Sequence, residues 1–157
     1  MVIIPEVVVG FHREKMRSEG PGLVELLTQL TKAFHRRTSE EVLGMKLRNY
    51  MALAKVRDHP GISQQDLAEM LLYDANAVVL LLNELEDLGF SMRRRDTEDR
   101  RRHILELTPA GSKALERAEA GRANIEDELL EGLTDEEKAS LRYLLTRALD
   151  GLVRVAS

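Results

Sequence analysis

Residues 89–111 read GFSMRRRDTEDRRRHILELTPAG, and this segment restricts the fold more than any other. Six arginines and three acids lie between two apolar runs. Residues 90–95 are expected to be extended, residues 96–99 to form a polar turn, and residues 103–107 to return as a second strand. In that second run Ile104 and Glu106 alternate with Leu105 and Leu107. Thr108-Pro109 then opens a helix, with Thr as the N-cap and Pro at the first helical position. A hairpin this rich in arginine is either a solvated surface or a handle for a polyanion. What precedes it in the chain bears on the choice.

Upstream the pattern is helical. From Leu23 the apolar positions Leu23, Leu26, Leu27, Leu30 and Phe34 step by three and four, predicting a helix with one buried face. A second helix is expected over residues 42–56, with Leu43, Leu47, Tyr50, Met51 and Ala54 inward, ending at His59-Pro60-Gly61. Ser63, with Asp66 three residues on, reads as the capping box of a short helix. Asp74 or Asn76 opens the next helix, whose stripe is Val78, Leu81, Leu82, Leu85 and Leu88 and whose C-terminal cap is Gly89. A long helix over residues 108–131 follows the hairpin. Thr134 with Glu137 caps a last helix that runs to Val155. A helix–turn–helix followed directly by a basic hairpin is a geometry that sends one helix into the major groove and the hairpin to the minor groove or backbone.

Length and composition narrow the field. A chain of 157 residues supports one domain. With three Phe, three Tyr and no Trp, the core must be mostly aliphatic, and Met45, Met51 and Met70 are expected to fill it. The absence of Cys removes disulfides, thiolate metal sites and thiol redox sensing, and makes a cytoplasmic location the default. His12, His35, His59 and His103 have no metal-ligand spacing, and no cofactor is expected. There is no phosphate-binding glycine loop, so an enzyme is the weakest class. The net charge of −4 argues against indiscriminate binding to nucleic acid, but charge is segregated. Residues 90–103 have a surplus of three positive charges, while residues 126–137 hold seven acids and no base. The leading MVIIPEVVVG is apolar, yet it has no basic start and is interrupted by Pro5, so it is read as a tail and not as a secretion signal. No run is long enough for a membrane span.

The hairpin and its approaches resemble the MarR (multiple antibiotic resistance regulator) family of winged-helix transcription factors. The family's wing pattern is met by Asp99-Arg100-Arg101, by Leu105-Glu106-Leu107-Thr108 and by Gly111. Its preceding pattern is met by Leu85-Glu86-Asp87-Leu88-Gly89 and Arg93. Residues 59–68, HPGISQQDLA, look like its turn into the third helix. Two departures stand out: Thr97 replaces a common Pro, and the recognition helix is poorer in polar groups than in many relatives.

The resemblance implies a mainly α fold with a small β-hairpin wing, a winged helix–turn–helix flanked by dimerisation helices. Residues 1–20 would be an apolar tail, residues 21–44 and 112–157 the dimerisation region, and residues 45–111 the DNA-binding part. A homodimer joined through its first, fifth and sixth helices would bind a near-palindromic duplex and act as a repressor. A small molecule, anionic or phenolic, would release it. On the wing Arg93, Arg95, Asp99, Arg100, Arg101 and Arg102 are the candidate DNA residues, with the Asp99 carboxylate steadying the Arg101 guanidinium for the minor groove. On the helix–turn–helix they are Ser63, Gln64 and Gln65, through helix N-terminal amides, and Asn76, Ala77 and Leu80, through base edges. Asn76 reads equally as a base contact or as a cap. The alternative class is a winged-helix protein-interaction module that no longer reads bases.

Overall fold

The structure is a computed structural model that describes residues 20–155, with the side chains of residues 153–155 left out. The apolar tail expected at residues 1–20 lies outside the described residues except for Gly20. Two compact units divide the chain, Met1–Phe34 and His35–Ser157.

Seven helices and two strands follow one another among the described residues. They are α1 (Leu23–Arg37), α2 (Glu40–Leu43), α3 (Leu47–Asp58), α4 (Gln64–Leu71), α5 (Ala75–Asp87), β1 (Ser91–Arg95), β2 (His103–Leu107), α6 (Pro109–Leu129) and α7 (Asp135–Val155). This is a mainly α fold with a small β-hairpin. In the first unit, α1 starts at Leu23 and buries none of its residues. Leu23, Val24, Leu26 and Leu27 face solvent, while Leu30 and Phe34 of the expected stripe are half-buried.

The second unit has a core of Leu and Val drawn from α3, α4, α5, β2 and α6. Leu43, Leu53, Leu67, Leu82, Leu85, Leu105 and Leu115 are its most completely buried leucines. Two expectations fail here. The helix read across residues 42–56 is broken: Gly44 closes α2 with φ of 70°, and Lys46 restarts the chain in an extended conformation. Only glycine enters that left-handed region without strain, and the break carries both Leu43 and Met45 into the core. The stripes were also drawn too wide. Met51, Met70 and Leu88 are exposed, because α3 turns Ala52, Leu53 and Val56 inward, while Leu88 is the C-cap just past the end of α5.

Local chemistry sets the helix ends. Ser63 Oγ accepts from Asp66 N at 3.1 Å and the Asp66 carboxylate accepts from Ser63 N at 3.4 Å, a complete capping box. Thr134 and Glu137 form the same reciprocal pair before α7. At the end of α5, Gly89 N donates to Glu86 O and Phe90 N to Leu85 O, each at 2.9 Å. This is a Schellman motif, and it turns the chain directly into β1.

Candidate nucleic-acid interface

β1 and β2 pair antiparallel, with Ser91 opposite Leu107 and Arg95 opposite His103. One strand face carries Ser91, Arg93 and Leu105 inward, and the other carries Arg94 outward. The hairpin is anchored at its base. Leu105 N donates to Ile62 O at 3.0 Å and Ser63 bridges Ile104, so the residues leading into α4 act as a short third strand. Below them, Thr108 Oγ1 donates to Gly89 O at 2.6 Å and accepts from Gly111 N at 3.0 Å. Thr108 N donates to Phe90 O at 3.1 Å.

Side chains add a second anchor. Arg93 grips Glu86 of α5 through Nε at 2.9 Å and Nη2 at 2.7 Å, while its main-chain N–H donates to the same carboxylate at 2.9 Å. Arg93 Nη2 also donates to Asn83 Oδ1. The Arg93 hydrogen bonds hold the Glu86 carboxyl below the usual carboxylate range. Arg93 is thus turned toward its own domain, as a clamp between hairpin and helix.

The remaining arginines divide into two sets. Arg94 Nη2 reaches Glu106 at 2.5 Å, and Arg102 Nη2 reaches the Asp66 carboxylate at 3.3 Å. Arg95, Arg100 and Arg101 are exposed, and their guanidiniums have no hydrogen-bonding or ion-pair partner among the described residues. The tip is folded by its acids. Asp96 Oδ1 accepts from Glu98 N at 2.9 Å, and Asp99 Oδ1 accepts from Arg101 N at 3.0 Å. Asp99 therefore fixes the main chain at Arg101 and not, as expected from sequence, the guanidinium. A two-residue spacing suits an Asx turn better than a side-chain ion pair.

An open cleft of about 520 Å³ separates hairpin and α4, lined by Ser63, Gln64, Gln65, Asp66, Arg102 and His103. The three α4 positions singled out from sequence thus stand beside Arg102. The Gln64 and Gln65 amides lie in the first helical turn, where no intrahelical acceptor exists.

On α5 the cap is settled. Asp74 Oδ1 accepts from Ala77 N at 2.8 Å, so Asp74 is the N-cap and Asn76 stands exposed in the first turn. Leu80, 70% exposed, follows on the same face. Ala77 is half-buried beside them. Asn83, the next on that face, is the one held by Arg93. No lysine or arginine occurs from Asp58 to Met92, whereas Asp58, Asp66, Glu69, Asp74, Glu84, Glu86 and Asp87 all do. The helix–turn–helix segment itself carries only acidic charge; its cationic neighbours are the hairpin arginines and, on the α3 side, Lys46 and Arg48.

Helix α5 is also tied to α3. Lys46 Nζ at 2.8 Å, Asn49 Nδ2 at 3.1 Å and the Arg48 guanidinium converge on Glu84. The hydrogen bonds from Lys46 and then Asn49 pull the Glu84 carboxyl down to about 2. Sequence reading assigned no role to Glu84, Glu86 or Asn83. Their partners lie on other elements, and only the i to i+7 distance from Glu86 to Arg93 hinted at one of the contacts.

Residues 45–103, covering the helix–turn–helix and most of the hairpin, match the model of the MarR family. Over this segment the chain is similar to the MarR family. The transcriptional regulator BilQ of Clostridium symbiosum is 36% identical over 88 residues, 56% of this chain and 61% of that protein. The transcriptional repressor MdtR of Bacillus subtilis is 29% identical over 109 residues, covering 69% of this chain and 70% of MdtR. A cysteine-to-serine mutant of Escherichia coli MarR, solved with operator DNA, superimposes with a TM-score of 0.70 at 25% identity, covering 81% of this chain and 93% of that one. The matches to the two curated relatives at 35% and 36% identity span 59% and 61% of their lengths.

Proposed function

We propose that this protein is a DNA-binding transcriptional regulator, a repressor that holds a near-palindromic duplex site as a homodimer. The observation that carries the reading is the trio Arg95, Arg100 and Arg101, exposed without partners on a hairpin that is braced to α4 and α5. A preorganised cationic arm of this kind suits the minor groove and its flanking phosphates. The names of its relatives, a repressor and an operator-bound MarR, agree with it.

Arg101 is the minor-groove residue in this reading, set by the Asp99 turn. Arg95 and Arg100 meet phosphates, and Arg102 joins them by leaving Asp66. Arg93 holds the wing on α5 and contacts no DNA. Ser63, Gln64 and Gln65 offer the α4 N-terminus to a phosphate, and Asn76, Ala77 and Leu80 face the major groove. Residues 45–111 form the reading head. Residues 21–44 and 112–157 form the dimer, because Leu23, Leu26 and Leu27 on α1 and Leu144, Leu149 and Leu152 on α7 are uncovered apolar stripes. A small anionic or phenolic effector releases the duplex in this reading. What favours an anion is Arg122, whose Nε is buried without a hydrogen-bond partner.

The test is a titration of the full chain against duplex DNA from its own upstream region and against an unrelated duplex, at several salt concentrations. Arg95, Arg100 and Arg102 of each wing put on the order of six phosphates under a dimer, so log affinity should fall with log salt with a slope of about −5. Equal, weak binding to both duplexes would sink the reading and favour a protein partner for the apolar face of α5.

A further inference from the structure

We infer that α5 reads adenine–thymine pairs, with Leu80 packed on a thymine 5-methyl group and Asn76 on an adjacent adenine; this rests on the DNA-binding reading above. The argument is one of elimination and fit. Guanine offers two acceptors to the major groove and is read by Arg or Lys. Neither residue occurs anywhere from Asp58 to Met92. Cytosine offers a donor and is read by a carboxylate. Of the α5 carboxylates, Glu84 is held by Lys46, Arg48 and Asn49, and Glu86 by Arg93. Asp74 is committed to the helix cap, and Asp87 lies at the far end of the helix, more than two turns beyond Asn76.

The exposed residues of the first two turns are Ala75, Asn76 and Leu80, and only Asn76 and Leu80, four residues apart, carry side chains long enough to reach a base edge. Asn76 has no capping duty, and its amide matches the N6 donor and N7 acceptor of adenine. Leu80 is 70% exposed on a helix that otherwise buries its leucines at 81, 82 and 85. A thymine methyl is the one apolar group the major groove displays. Asn83 would be the third reader at this spacing, but the Arg93 clamp holds it.

The experiment is selection of binding sites from a random duplex pool with the full chain. Chemical substitution of the selected site follows. The expected half-site has adenine–thymine pairs at the positions where thymine-to-deoxyuracil replacement weakens binding, by about fourfold for each methyl removed. In Leu80→Ala the thymine and deoxyuracil duplexes should bind alike. Deoxyuracil alters only the major-groove edge, so the minor-groove wing does not confound the result. A selected site that tolerates every deoxyuracil replacement, or that demands guanine under α5, overturns the inference and leaves the regulator intact. A pool that yields no enriched sequence overturns the regulator itself.

Discussion

At the scale of single residues, the most exacting position is Gly111. A Cβ there would lie 1.9 Å from the Phe90 carbonyl oxygen, because the first turn of α6 packs directly on the start of the hairpin. Backbone on one side and a helix on the other leave nothing flexible to yield. Gly111→Ala should lower stability by at least about 2 kcal/mol, read as a shift of the urea midpoint; an unchanged midpoint would show that the two segments separate freely. Arg101 is the opposite kind of residue, exposed and idle within the fold. Arg101→Ala should leave the melting temperature and the association state unchanged while weakening specific duplex binding about tenfold or more. Undiminished affinity in that variant would remove its assigned role. The spacing of Leu105, Thr108 and Gly111 was legible as a motif from sequence. Its reason was not, since the Phe90 carbonyl that excludes a side chain at Gly111 lies on the far side of the hairpin in sequence.

At the scale of elements, α5 is held by two of its carboxylates. Glu86 grips the hairpin through Arg93, and Glu84 grips the start of α3 through Lys46, Arg48 and Asn49. The folded state lowers the Glu84 pKa from 4.5 to about 2. Its contribution is therefore complete above about pH 4.5, the unfolded value, and is lost as pH falls through the window toward 2. Glu84→Gln should cost about 1–2 kcal/mol at neutral pH. The gap between variant and parent should close between pH 4.5 and 2 in chemical denaturation. A gap independent of pH across that window would mean that the carboxylate's charge contributes nothing. Helix positions were readable from capping boxes and apolar spacing. The break at Gly44 was missed because a single glycine inside a periodic pattern looks tolerable until the packing of Leu43 and Met45 is known.

At the scale of the whole molecule, two apolar faces have no cover within the described residues. Val24, Leu26 and Leu27 on α1 and Leu145, Leu149 and Leu152 on α7 are among the residues exposed to water. No residue of α1 is fully buried. A helix of fifteen residues has little stability alone, since helical order in proteins comes mostly from packing of one face. The dimer should therefore be needed for folding: sedimentation at micromolar protein should find no folded monomer, and the denaturation midpoint should rise with protein concentration. A folded monomer, or a midpoint independent of concentration, would overturn the dimer.

The sequence by itself determined the helix caps, the hairpin and the family pattern, because each depends on residues within a few positions of one another and on backbone preferences that act locally. Only the tertiary structure decided which arginine does what. All six are chemically alike and occur in two runs of three. Their roles differ because Glu86, Glu106 and Asp66, on a helix, a strand and another helix, reach three of them and leave Arg95, Arg100 and Arg101 to solvent.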